Sequence, residues 1–227
     1  MNERASIFYQ HVLRGLFEDW SQIEALDKTF TSIVSDARRI ERESAVGALP
    51  ADWERDWQRI EALLGEIRDH AAKARKRTTE PMAPGSDPLT EWQPVAVIED
   101  ELEALLEKRK AAGAALVTPE TRTEWEACWL ALESYATTLR AHARSVQVKL
   151  ELRHRFGETQ AAEIAAELAA KLPEDLRNPQ GAVAFQTAVE QLQTERQQFR
   201  GVWDVIKALA LWVEAPEERA RKIRGEK

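Results

Sequence analysis

The chain has 227 residues, 44% apolar and 31% charged, with a net charge of −7. That is enough apolar material for a packed core, and too negative a balance for dominant, non-specific binding to nucleic acid or an anionic membrane. One cysteine, Cys128, excludes an internal disulfide. With no basic-then-apolar leader and no run of 18 apolar residues, the expectation is a cytoplasmic protein that does not enter a membrane.

The first predicted helix covers about Arg4 to Ser44, with a stripe of Leu13, Leu16, Trp20, Ile23, Leu26, Phe30, Ile33, Ala37 and Ile40. At 1.5 Å per residue it would reach roughly 60 Å. A short break containing Gly47 leads to Pro50, which suits the first turn of a helix because its missing N–H has no partner there. So short a break favours an antiparallel hairpin. The second helix, to about Arg77, carries Trp53, Trp57, Ile60, Leu64, Ile67, Ala71 and Ala74. Steps of four and three average 3.5 residues, the repeat that keeps one helix face on a neighbour.

Residues 78–90 hold three prolines and one glycine and read as a linker. A third helix is expected from Pro94 to about Ala112 through Val95, Ile98, Leu102 and Leu105, with Gly113 as its breaker. Thr118-Pro119-Glu120 is the strongest helix start: a capping Thr, Pro at the first position, and Glu at the positive dipole end. The fourth helix then follows Trp125, Trp129, Leu132, Ala136, Leu139, Ala143, Val146 and Leu150 to a stop at Gly157. This is the second helix's pattern again, 72 residues on, either a duplicated hairpin or a shared packing solution.

A short fifth helix, Thr159 to Leu172, is rich in alanine, which would let another backbone approach closely. A sixth is expected from Gln180 to Glu214 through Phe185, Val189, Leu192, Phe199, Trp203, Ile206, Ala210 and Val213. Its register puts Arg196 where an apolar residue belongs, either fixing register against a carboxylate or lifting its guanidinium to water. Gly15, Gly65 and Gly201 lie inside stripes and mark close helix approach or tolerated weak points.

The expected fold is all-α: an elongated bundle of about six helices built from long antiparallel hairpins with coiled-coil-like packing. The domains divide as a hairpin over 1–77, a linker over 78–90, a four-helix unit over 91–214 and a charged tail over 215–227.

Chemistry-bearing patterns are sparse. Glu151-x-x-His154 has the spacing of one half of a di-iron site, but no second pair exists and Arg153 and Arg155 flank the histidine. Glu66 and His70, one turn apart, read as a solvent-side pair. No phosphate loop, nucleophile elbow or zinc motif occurs, so neither cofactor nor metal is expected and the chain reads as non-catalytic. Cys128, between Trp125 and Trp129, reads as a small buried hydrophobe.

Residues 1–77 carry 13 Lys/Arg and 14 Asp/Glu, a net of −1, leaving a net of −6 for the remainder. Positive charge gathers at Arg68, Lys73, Arg75, Lys76 and Arg77, a helix end whose cations also complement its dipole. Trp53, Trp57, Trp125 and Trp129 belong to the core, whereas Trp92 and Trp212 are candidates to meet a partner. Arg68, Lys73, Arg75, Lys76, Arg77, Trp92, Arg196 and Trp212 are therefore the candidate partner-binding residues. The functional expectation is a helical scaffold, adaptor or complex subunit that binds another protein or itself. The alternative is an accessory subunit that meets nucleic acid through its basic helix ends.

Overall fold

A computed structural model describes residues 21–45, 47–79, 88–171, 179–202 and 205. Nine-tenths of the described residues are helical and none lies in a strand, so the protein is all-α. Five helices are described: α1 Ser21–Ser44, α2 Trp53–Thr79, α3 Pro88–Ala114, α4 Pro119–Lys171 and α5 Pro179–Glu195, followed by a 3-10 turn at Gln197–Phe199. Among the described residues no helix is long and apolar enough to cross a membrane.

The chain packs as two compact units, and each draws on both sides of the Pro-rich segment. The first, here the tryptophan unit, comprises Asp19–Asp69 and Ile98–Arg140. Its cross-helix contacts fix the topology. Arg42 and Arg38 of α1 pair with Glu54 and Glu61 of α2, and Arg59 and Lys108 join α2 to α3 at Glu101 and Asp52. Lys110 and Arg140 join α3 to α4 at Glu133 and Glu103. Ser44 and Phe30 of α1 meet Thr121 and Tyr135 of α4. In each pair the number rises on one helix as it falls on the other. The unit is an up-down-up-down bundle of four helices.

In that topology α2 and α4 are diagonal and parallel. The parts of both Trp-led stripes that belong to this unit, Trp53 to Ile67 and Trp125 to Leu139, face the middle, and every stripe residue there is buried. Trp57 and Trp129 lie 5.4 Å apart, ring centre to ring centre, so the repeat brings equivalent residues to one layer.

The described part of the second unit, here the C-terminal unit, lies within His70–Val97 and Ala141–Lys227. Its core joins Val148 and Leu152 of α4 to Ile164, Leu168, Phe185, Val189, Leu192, Phe199 and Val202. From Ala143 to Val148 every residue of α4 is buried, including Arg144, Ser145 and Gln147, so here the helix is enclosed on all faces rather than along one seam. Gly157 breaks α4 where the sequence expected a stop. Its φ of 77° and ψ of 169° form a backbone shape almost confined to glycine.

Several expectations need correction. The third helix begins at Pro88 and not Pro94: proline is tolerated in a first turn, and the helix continues through Pro94 at the loss of one backbone hydrogen bond. Gly113 is no breaker but a helical residue, since α3 runs on to Ala114. The sixth helix is not continuous. It stops at Glu195, Arg196 leaves helical geometry (φ −124°, ψ 85°), and Gly201 turns the chain with φ of 95°. The Gln193 side chain accepts the freed Gly201 N–H at 3.0 Å. The alanines of the fifth segment provide no broad close-approach face: Ala161 is buried, but Ala162, Ala166 and Ala170 are exposed. Gly65 has no atom within 4 Å of where a Cβ would stand, so it marks no close approach. Gly15, the first half of the opening stripe and the tail over 215–227 lie outside the described residues.

Candidate functional site

The most unusual chemistry of the tryptophan unit centres on Glu41, a carboxylate with no exposed surface. The last turns of α1 carry it into the core because Val34, Ala37, Glu41 and Ser44 share a buried face at steps of three and four. Its Oε2 accepts hydrogen bonds from Trp53 Nε1 at 2.7 Å, Trp57 Nε1 at 3.2 Å and Arg109 Nη2 at 2.7 Å. Its Oε1 accepts one from Trp125 Nε1 at 3.0 Å. One carboxylate thus ties α1 to α2, α3 and α4.

A buried ion survives only when it is paired and its remaining lone pairs are filled. Arg109, 1% exposed, supplies the opposite charge and the indoles fill the rest. Gly113 supplies the space: a Cβ there would stand 2.1 Å from Glu41 Oε1 and 2.8 Å from the Trp125 ring. The fourth tryptophan, Trp129, packs against Trp57 and Trp125. Its own Nε1 has no hydrogen-bond partner among the described residues, nor has Arg109 Nε. Four donors saturate the Glu41 carboxylate and exclude water from it, so it is not placed to take a proton from a substrate. Its chemistry is structural.

The outer surface of α2 and α3 forms a groove of about 430 Å³ lined by Arg55, Asp56, Arg59, Glu101, Ala104, Leu105 and Lys108. Across it Arg59 grips Glu101 with two parallel bonds of 2.6 Å, and Lys108 bridges Asp52 and Asp56 at 2.6 and 2.7 Å. These bonds set the proton affinities. Hydrogen bonding to Arg59 holds the Glu101 carboxyl below its ordinary range, and that to Lys108 lowers Asp52. The Asp52 and Asp56 carboxylates raise Lys108, and Glu101 raises Arg59.

The residues singled out from the sequence fall in different places. Arg68 is exposed in the tryptophan unit, 3.9 Å from Asp69. Lys73, Arg75 and Lys76 are exposed and Arg77 partly buried in the C-terminal unit. There they adjoin cations of α4: Arg153 Nη1 donates to the Arg77 carbonyl at 3.0 Å, and the Arg75 charge bears on Lys149. Arg196 sits at the helix break, pairs with Glu167 at 3.1 Å and stacks on Phe199. The Trp92 side chain and all of Trp212 lie outside the described residues.

Glu151 Oε1 takes its hydrogen bond from Arg155 at 2.6 Å, and Glu66 pairs with Arg59 at 3.2 Å. Among the described residues no three His, Cys, Asp or Glu side chains converge as metal ligands. Cys128 is only partly buried, not the fully buried hydrophobe expected; that burial, with Asp36 and Glu124 nearby, pushes its thiol up, which makes it a poor nucleophile.

Sequence reasoning missed Glu41 and Arg109. The signal was present: on α3 the buried face reads Val95, Glu99, Leu102, Leu106, Arg109, Gly113, again at steps of four and three. A charge at such a position is as informative as an apolar residue, and two of opposite sign on different helices suggest a pair.

No family model, curated protein or solved structure matches the chain. Its class is therefore defined by its own architecture, that of an all-α helical protein.

Proposed function

We propose that this chain is a non-catalytic helical scaffold, adaptor or complex subunit that works in the cytoplasm by binding another protein or a second copy of itself. The observation that carries the reading is the α2–α3 groove. It exposes Ala104 and part of Leu105 between charged walls, the mixture of apolar centre and polar rim found at protein contacts. The helices beneath it share one buried carboxylate, so the surface is held in one shape and binding need not order it first. Leu130, 69% exposed on α4, adds an apolar point elsewhere on the same unit.

The test joins a mass by light scattering to capture from extract of the native host. Leu105→Asp is compared with the unaltered chain after both show the same helical circular dichroism. The reading expects either a self-assembled mass or a discrete captured protein, and loss of that species in the variant. A monomer that retains nothing, or a captured species indifferent to Leu105→Asp, rejects the groove as the contact.

A further inference from the structure

The break between Arg196 and Gly201 in the C-terminal unit sets helix propensity against core packing. Glu195, Arg196, Gln197, Gln198 and Arg200 are all good helix formers, and no proline stands between Pro179 and Pro216. The apolar stripe of α5 also runs on in the sequence through Trp203, Ile206, Ala210 and Val213. By propensity and period this stretch suits one continuous helix.

The core demands otherwise. Phe199, Val202 and Val205 are buried with Val189 and Leu192 in one cluster. On a straight helix, turning about 100° per residue, Val205 would stand about 140° round the axis from Leu192. A single chain buries both by breaking the helix between them. Gly201 supplies the turn with a φ of 95°, a conformation that side chains rarely adopt, and helix resumes at Val202. The Val205 N–H reaches the Gly201 carbonyl at 3.1 Å. Side chains hold the break: Gln193 accepts the Gly201 N–H at 3.0 Å, and Arg196 pairs with Glu167 at 3.1 Å.

We propose that this break is a hinge through which two copies of the chain exchange the segment that begins at Val202. In the exchanged dimer α5 runs straight through 196–201. Val202 and Val205 of each copy then fill, in the other copy, the places they fill here in their own chain. The straight helix turns Val205 away from its own Leu192, and a second core of the same shape receives it. The hinge regains helical backbone bonds and Gly201 leaves its positive φ, so propensity and packing agree. A second copy is the occupant because it offers a core already shaped for this segment. The exchange is one route for the self-binding proposed above, and it uses the C-terminal unit rather than the groove of the tryptophan unit.

The test is the light-scattering mass of full-length protein refolded at high and at low concentration. High concentration should yield a dimer that persists on dilution, because release requires the C-terminal unit to open. Gly201→Ala strains the broken form and suits the straight one, and should raise the association constant about tenfold or more. Gln197→Pro should lower it about a hundredfold or more. The monomer tolerates that proline: Gln197 opens the 3-10 turn, where an N–H has no helical partner, and Arg196 before it already lies outside the α region that proline disfavours. Monomers at every concentration in both the unaltered chain and Gly201→Ala, or a dimer that Gln197→Pro leaves unchanged, would overturn the proposal. So would a clearly lower melting point for the Gln197→Pro monomer. The exchanged dimer should survive Leu105→Asp; a dimer lost in that variant belongs to the groove and overturns the exchange, whereas one lost only in Gln197→Pro upholds it.

Discussion

The tryptophan unit and the C-terminal unit solve the same problem, packing α-helices, with opposite materials. The first gathers four indoles around a buried ion pair in a regular up-down bundle. The second packs aliphatic and phenylalanine side chains in its core cluster, encloses Arg144 and Glu151 on α4, and changes direction at Gly157 and again at Arg196. A centre that must satisfy every donor specifies one helix register, because a slip breaks several bonds together. An aliphatic core is more forgiving, so the bends of the second unit are set by local backbone chemistry.

Breaking the carboxylate centre gives the largest expected effect. Glu41→Ala strands the Arg109 charge and three indole donors in the core, and should cost about 3–5 kcal/mol in a urea titration followed by tryptophan fluorescence. Glu41→Leu combined with Arg109→Met should recover much of the loss, since an apolar pair leaves no bare charge. A Glu41→Ala cost near the ~1 kcal/mol of an average substitution would remove the distinction between the units.

Glycines sharpen the contrast. Gly113→Ala drives a methyl group into Glu41 and Trp125 and should destabilise by about 1–3 kcal/mol. Gly65→Ala, with open space around its Cβ position in the same bundle, should stabilise by about 0.5–1 kcal/mol. Equal effects from the two would mean that the bundle yields around Gly113. In the C-terminal unit Gly157→Ala meets no atom but is forced into a glycine conformation, at about 1–3 kcal/mol. Hydrogen exchange should show the loss of protection around Ala161 and Ile164, with the Trp57 indole unaffected.

The smallest effect is a pH dependence from the exposed pairs of the tryptophan unit. Asp52, Glu54 and Glu101 have folded pKa values lowered by Lys108, Arg38 and Arg59. Their stabilisation is therefore present above the unfolded carboxylate value of about 4 and lost as pH falls through the folded values. Lys108 is raised by Asp52 and Asp56, so its contribution holds below about pH 10 and is lost above. Melting curves should fall modestly at both extremes, and added salt should flatten the dependence because these groups face water.

The regular unit was legible in the sequence wherever apolar periodicity carried the information. Both Trp-led stripes are buried throughout, and helix starts at Pro119 and the stop at Gly157 follow from single residues whose backbone preferences are strong. The centre was passed over because counting apolar residues skips a charge by construction, although Glu41 and Arg109 stand at buried-face steps of three and four. The opposite error occurred at Arg196. There the register stays in phase from Leu192 to Phe199, both buried, with Arg196 at the position between them, while the backbone at Arg196 leaves the helix. A period survives an interruption that restores phase, so periodicity alone could not reveal it.

Because three indole N–H groups from two diagonal helices converge on the Glu41 carboxylate while the fourth finds no acceptor, the molecule contains a built-in spectroscopic gauge. The Trp53, Trp57 and Trp125 indole protons should resonate downfield of Trp129's and move together whenever α1 lifts from its neighbours. Undocking of one helix can thus be followed in solution without any attached label.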